Sequence, residues 1–440
     1  MSKKIFIKGT LILTLAGFCT RIIGFFYRIF LSHTIGAQGM GIYQLVMPLQ
    51  MIVLAVSASG IHTAISRLCA AKAALGQKKE ALRLFLAGTF LSLFLSVILA
   101  AFAWNHHTFL AVQILKEPRT APLIRLLALS FPLSALHTCV NSYYFSKNHA
   151  GFPAFVQLLE QLVRVGSSYL VFCIFLSEGR SLTPLIAVIG TLSGEAASCL
   201  VSLFAMGLLF RDAGFLLRDA KNLAAETKPI LKMALPLSLN RLLLNLLSTG
   251  EVILIPQMLR RFGLNSADAL SVYGIFTGMA LPLILFPSAI FNSASVMLMP
   301  SVAKLQALGN QNRLRTVTVT TSRLCLGLGS LCTMGFLMFG ETMGALLFKN
   351  PTAGVYIRAL AFLCPFLYLN TTLTSILNGM GKTGTCLIHN LVCILLRLCF
   401  VILAVPIAGI RGYFYGLLCS QILLSALQLI ALRFLQAKNS

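Results

Sequence analysis

An all-α polytopic membrane protein of about twelve transmembrane helices, in two six-helix bundles related by a parallel repeat, is the fold class this sequence predicts. Composition, the spacing of apolar windows and internal self-similarity point to it. Of 440 residues, 58% are hydrophobic and 10% charged, and the mean hydropathy is +0.88, far more apolar surface than a soluble core needs. Windows of about 20 residues place spans near 5–31, 41–67, 82–104, 122–146, 152–176, 184–210, 229–256, 270–298, 318–343, 355–379, 384–407 and 411–435. The opening Met-Ser-Lys-Lys before an apolar run superficially suits a signal peptide. No small-x-small cleavage site follows, however, and the run carries two arginines, so it reads as an uncleaved first helix.

The first span holds Arg21 and Arg28 two helical turns apart, so both project from one stripe with Thr14, Gly17 and Gly24. A guanidinium facing lipid costs several kcal/mol, so this cationic face must meet protein or water. The second span contains Pro48, the fourth Pro132, the seventh Pro236, the eighth Pro282 and Pro287, and the tenth Pro365; each bends its helix and frees backbone carbonyls. Pro282 and Pro287 are the best hinge candidates. The fifth span carries Gln157, Glu160, Gln161 and Arg164 on one face. Glu160 can pair with Arg164 by helical spacing. In the sixth, Glu195 stands beside Gly190 and Gly194 and reads as a helix-packing contact. The seventh carries Ser238, Arg241, Asn245, Ser248 and Glu251, three and four apart. Glu251 has no cation one turn away, so it is expected near outer water or coupled to something mobile. His62, His137 and His389 read as packed, hydrogen-bonded side chains. The twelve cysteines lie almost wholly in spans, without a C-x-x-C pair, and read as small hydrophobes.

Shifted so that Ile124-Arg125 falls on Ile357-Arg358, the chain also matches itself, without a gap, at Ala128 and Ala361, Pro132 and Pro365, Ser142 and Ser375, Leu158 and Leu391, and Arg164 and Arg397. Slightly shorter offsets match Tyr43 with Tyr273, Ala71-Lys72 with Ala303-Lys304, and Leu82-Arg83 with Leu314-Arg315. Six spans per copy is an even number, so the repeat is parallel. The expected organisation is an N-terminal bundle at 1–210, a cytoplasmic linker at 211–228 and a C-terminal bundle at 229–440. Two parallel bundles around a cavity suit alternating access.

With a cytoplasmic N-terminus, 21 of the 35 Lys and Arg fall inside, nine outside and five within the membrane: Arg21, Arg28, Arg164, Arg241 and Arg397. The positive-inside rule thus puts both termini in the cytoplasm. The net charge of +24 is spread over short loops against anionic lipid and implies no nucleic-acid partner.

Thr20-Arg21-Ile22-Ile23-Gly24-Phe25, Tyr27-Arg28, Ile35-Gly36-Ala37-Gln38-Gly39-Met40-Gly41-Ile42-Tyr43, Ser59-Gly60-Ile61 and Thr63-Ala64-Ile65-Ser66-Arg67 resemble the opening of the stage V sporulation protein B group, as does Asn378-Gly379-Met380-Gly381-Lys382 further on. That group belongs to the polysaccharide-transporter branch of the superfamily holding the MurJ-type flippases and the MATE exporters. The resemblance implies two six-helix lobes that move an undecaprenyl-pyrophosphate-linked sugar to the outer leaflet, with the first-helix arginine role falling on Arg21 and Arg28. The sequence departs from the group at His62, where relatives often have proline, at Ser146-Lys147-Asn148-His149, and in having twelve spans where many relatives have fourteen.

A lipid-linked oligosaccharide flippase needs cations for its pyrophosphate, and the five intramembrane arginines are the candidate substrate-binding set. A MATE-type exporter of cationic drugs, the alternative, would want intramembrane carboxylates. Glu160, Glu195 and Glu251 are the three that would couple a cation or close ion pairs. A membrane enzyme would show acids in an outer loop or a catalytic constellation, and no Ser-His-Asp or metal-ligand pattern is legible. The reading is a monomeric transporter in a bacterial cytoplasmic membrane, with lipid-linked substrate and membrane lipids as partners, without cofactor, metal or catalytic residues.

Overall fold

The computed structural model describes residues 3–147, 149–212, 223–308 and 310–438, and no strand occurs among them. The first half runs α1 (Lys3–Leu54), a π turn (Ala55–Ser59), α2 (Gly60–Ala74), α3 (Lys78–Asn105), the short α4 (His107–Phe109), a π turn (Leu110–Ile114), a 3₁₀ turn (Pro118–Thr120), α5 (Ala121–Ala128), α6 (Ser130–Ser146), α7 (Gly151–Ser177) and α8 (Leu185–Asp212). The second runs α9 (Leu223–Arg261), α10 (Ser266–Gly274), a π turn (Ile275–Ala280), α11 (Leu281–Leu285), α12 (Ser288–Ala307), α13 (Gln311–Phe348), α14 (Pro351–Leu360), a 3₁₀ turn (Ala361–Leu363), α15 (Cys364–Gly379), α16 (Thr383–Leu403), α17 (Val405–Ala408) and α18 (Ile410–Lys438).

Among the described residues ten helices are long and apolar enough to cross a membrane, eleven if the pair Pro118–Ala128 and Ser130–Ser146, bent by 43°, is one span. The first, Leu11–Ala74, has 64 residues. At 1.5 Å per residue it runs about 96 Å, three times a hydrocarbon core of about 30 Å. It therefore covers the first two expected windows. Its break is at Gly36 (φ 67°, ψ −178°), a conformation that a side chain would strain. The eighth window is divided: a π turn precedes Pro282, and the helix stops at Phe286-Pro287 before α12. The two hinge-candidate prolines thus flank a real interruption.

The chain forms two compact units, residues 1–27 with 42–249, and 28–41 with 250–440. The expected division at 211–228 falls largely on 213–222, outside the described residues, and the units do not part there. Instead α1 and α9, at 52 and 39 residues, are longer than one crossing needs, and each runs from one unit into the other.

In the first unit α2, α3 and α6 enclose a core of Ile65, Phe85, Cys139, Val140 and Tyr143, closed by Ile230 and Ala234 of α9. α8 lies against α7 so closely that a Cβ on Gly190 or Gly194 would stand 2.8 Å from the carbonyl of Arg164 or Glu160. In the second unit α13, α14 and α15 form the centre, with α12 against α15 and α18 against α15 and α16. Thr333 Oγ1 donates at 2.8 Å to the Ala361 carbonyl, which also accepts from the Cys364 N–H at the break before α15.

The repeat is visible in the element ends. α2 and α12 stop at Ala74 and Ala307, α3 and α13 start at Lys78 and Gln311, and α6 and α15 end at Ser146 and Gly379. Each of these pairs is separated by the same offset that carries Ile124 onto Ile357. Each copy breaks its fourth span just ahead of the matched prolines, Pro132 and Pro365. All twelve cysteines are free, as their apolar surroundings lead one to expect.

Candidate functional site

α7 brings its polar face onto the first segment of α1. Gln157 Nε2 donates to Thr20 Oγ1 at 3.3 Å, Gln161 stands against Gly24, and Tyr27 shares a 2.7 Å hydrogen bond with Ser168. Thr20, Gly24 and Tyr27 lie three and four apart, so they mark the helix face that α7 covers. Arg21 falls off that face and is exposed.

Glu160 and Arg164 form the expected ion pair on α7, and the Arg164 guanidinium also donates to Gln161 Oε1 at 3.4 Å. The pair does not stand by itself. Glu195 on α8, 5% exposed, meets His137 Nε2 of α6 at 2.8 Å and accepts from Gln50 Nε2 of α1 at 3.0 Å. Ligand atoms of His137, Glu160 and Glu195 all lie within 4.8 Å of one another. Two expectations change here. Glu195 is not a bare packing contact but the hub of a buried polar network, and a constellation of metal-ligating type exists. Its members come from three helices, and nothing in their spacing announces the meeting. His137 is packed and hydrogen-bonded as expected, yet its bond is to a carboxylate.

In the second unit Glu251, 5% exposed, lies on α9 beside Arg397 of α16, with Nε 2.9 Å from Oε1. The Arg397 Nε–H is not directed at that oxygen, so the contact is electrostatic. Tyr413 of α18 completes the site, donating to Glu251 Oε1 at 2.7 Å. Glu251 is thus buried and partnered, although no cation lies one turn away on its own helix. Its cation comes from a helix far along the chain. Arg28, half-buried, reaches the Thr277 carbonyl at 3.5 Å.

The five intramembrane arginines therefore separate by their surroundings. Arg164 and Arg397, symmetry partners in the sequence, are each held by a carboxylate of their own unit. Arg21 and Arg241 are exposed and in no ion pair among the described residues. Guanidinium groups stay charged at any relevant pH and carry strong donors in a fork, so exposed ones inside long apolar helices are what an anion would meet first. Long apolar helices in this number, with charged groups paired between them, define a polytopic all-α membrane protein.

The polysaccharide biosynthesis protein family matches residues 6–306, and the chain belongs to that family. The MatE family matches residues 236–403. The stage V sporulation protein B of Bacillus subtilis (strain 168) is 27% identical over 97% of this chain and 83% of its own length. Sporulation protein YkvU of the same organism is 22% identical, covering 96% of this chain and 94% of its own. An inward-facing multidrug resistance MATE transporter of the MOP superfamily superposes with a TM-score of 0.74 at 14% identity, over 96% of this chain and 95% of its own. A MOP superfamily transporter from Pyrococcus furiosus, described as having a binding pocket of reverse polarity, gives 0.67 at 15% identity, over 99% and 96%. At such identities the structural likeness speaks for the fold.

Proposed function

We propose that this transporter moves an undecaprenyl-pyrophosphate-linked sugar, a peptidoglycan or polysaccharide precursor, across the bacterial cytoplasmic membrane by alternating access. The observation that carries the proposal is the pair of exposed arginines without an ion-pair partner among the described residues, Arg21 and Arg241, in helices otherwise long and apolar. A pyrophosphate cannot pass bare hydrocarbon, and a guanidinium fork grips its oxygens through two parallel hydrogen bonds. Arg28 extends the same stripe of α1. Arg164 and Arg397 join only by leaving Glu160 and Glu251, which makes them second in line. The stage V sporulation protein B relative supports a role in spore cortex or wall synthesis.

In this reading the protein is a monomer among membrane lipids, with its two compact units as the lobes and both termini and the 211–228 connector in the cytoplasm. Outward movement of a negative headgroup from a cell negative inside is favoured by about 2.3 kcal/mol per charge per 100 mV, so the membrane potential drives it. The test is flipping of a fluorescent lipid-linked sugar in proteoliposomes, per folded molecule, for Arg21→Ala and Arg241→Ala at set potentials. Normal specific activity in both would end the cationic-site reading.

A second reading, a MATE-type exporter coupled to a cation, is favoured by the buried carboxylates Glu195 and Glu251 and by the MatE match over 236–403. It forecasts export of cationic dyes against a proton or sodium gradient, abolished by Glu→Gln at one of them. The flippase reading forecasts no such requirement.

A further inference from the structure

The charged cluster of the first unit has an uncharged counterpart in the second. Asn370 of α15 takes the place in the second copy that His137 of α6 has in the first, by the offset that carries Ile124 onto Ile357. It donates to Gln421 Oε1 of α18 at 2.9 Å, as His137 meets Glu195 of α8. Ser425 donates to Asn370 Oδ1 at 2.7 Å. By the same offset Cys393 of α16 stands where Glu160 stands on α7. The second unit thus closes the same helix junction with an amide pair, and the position matching Glu160 carries no charge. Two carboxylates and an imidazole are not required to build it, and burying ions costs several kcal/mol each. The charge at this point of the first unit serves something other than closure.

We propose that His137, Glu160 and Glu195 form a binding site for a divalent transition-metal ion of the zinc class, with Arg164 as the built-in competitor for Glu160. One imidazole and two carboxylates are ligands that zinc accepts, whereas an imidazole has no place around sodium or potassium. Donors bound at about 2.1 Å stand at most about 4.2 Å apart. The ligand atoms of the three side chains lie within 4.8 Å of one another, and in the tetrahedral geometry of zinc they would close to about 3.4 Å. His137 is 9% exposed, and its Nδ1 is buried without a hydrogen-bond partner among the described residues. Coordination through Nε2 would place the ring proton on Nδ1, where a water is the acceptor it needs. Gln50 donates to Glu195 Oε1 and acts as the outer support that such ligands usually have.

Charge decides the role of Arg164. One guanidinium against two carboxylates leaves a single negative charge, which a divalent ion would overshoot. If Arg164 swings off Glu160 as the metal enters, two carboxylates balance the ion. Metal and guanidinium are therefore alternatives at Glu160, and occupancy would both tie α6, α7 and α8 together and free Arg164. The proposal stands independently of what the transporter carries.

The experiment uses the purified full chain in nanodiscs, stripped with chelator and titrated with Zn²⁺ by calorimetry and with Co²⁺ by visible absorption. We expect one equivalent of metal. His137→Asn and Glu195→Gln, the residue types the second unit uses, should weaken it about 100-fold, and Gln50→Leu about tenfold. Arg164→Gln should tighten it about tenfold, a result that loss of packing would not produce. Melting curves without metal identify any variant that misfolds, and Glu160→Gln then serves in its place. Absence of a tight equivalent in the wild type, unchanged affinity in His137→Asn, or weaker binding in Arg164→Gln would each overturn the site. Failure of lipid-linked sugar flipping with metal binding intact would count against the proposed function only.

Discussion

Among the described residues the first unit gathers four ionisable side chains from three helices, buried His137 and Glu195 with half-buried Glu160 and Arg164, whereas the second sets buried Glu251 against half-buried Arg397, completed by Tyr413. Arg164 and Arg397 occupy matching places in the repeat, yet the first takes its counter-charge from its own helix and the second from α9. The repeat keeps helix ends, breaks and the guanidinium at this position, and leaves the neutralisation of that guanidinium to local solutions. Symmetry of backbone therefore does not imply symmetry of charge. A carboxylate three or four residues away on the same helix is available without tertiary structure, whereas Glu251 meets Arg397 only once α9 and α16 are packed.

The comparison breaks most visibly at the arginines that neither solution neutralises. Arg21→Ala should lower flipping by at least about 100-fold, roughly 2.7 kcal/mol of lost phosphate binding, with insertion and melting temperature unchanged. Arg21→Lys should recover only part, since an ammonium lacks the fork. A drop in abundance with normal activity per folded molecule would make Arg21 structural.

The second unit's pair bears on stability and not on transport. Arg397→Met strands Glu251 in a buried site and should cost about 3 to 5 kcal/mol, seen as a large fall in melting temperature in detergent. The double change with Glu251→Leu should restore most of it. If the single change is tolerated, water reaches Glu251 and the pair is not a closed structural contact.

Gly190→Val tests the close α7–α8 approach on which the first unit's cluster depends. The added carbons would collide with Ser168 and the Arg164 carbonyl. A cost of about 1 to 3 kcal/mol follows, along with loss of the His137–Glu195 contact. Smallest should be the joint change His137→Asn with Glu195→Gln, which copies the Asn370–Gln421 bond. Because it replaces both partners together, stability should shift by less than about 1.5 kcal/mol. A larger loss would mean that the charged network, not the junction geometry, holds α6 to α8.

Some of this architecture needed no third dimension. Apolar windows located the helices because the bilayer demands about 20 apolar residues per crossing and lets no backbone polar group go unpaired. A nearly constant offset between matching residues revealed the repeat, since prolines and arginines inside spans are costly enough to keep their register. Helical spacing was enough for the Glu160–Arg164 pair and the arginine stripe of α1. The partners of Glu195 and Glu251 were not legible, because His137 and Glu195 sit on α6 and α8, and Glu251 and Arg397 on α9 and α16, with only helix packing to join them. Gly36, one glycine among 33 in the chain, marks the break in α1 through its backbone angle, which no periodicity reports. Nor did sequence locate the exchange of α1 and α9 between units, because which bundle a long helix joins is decided by the neighbours it meets along its length, which its own pattern does not name.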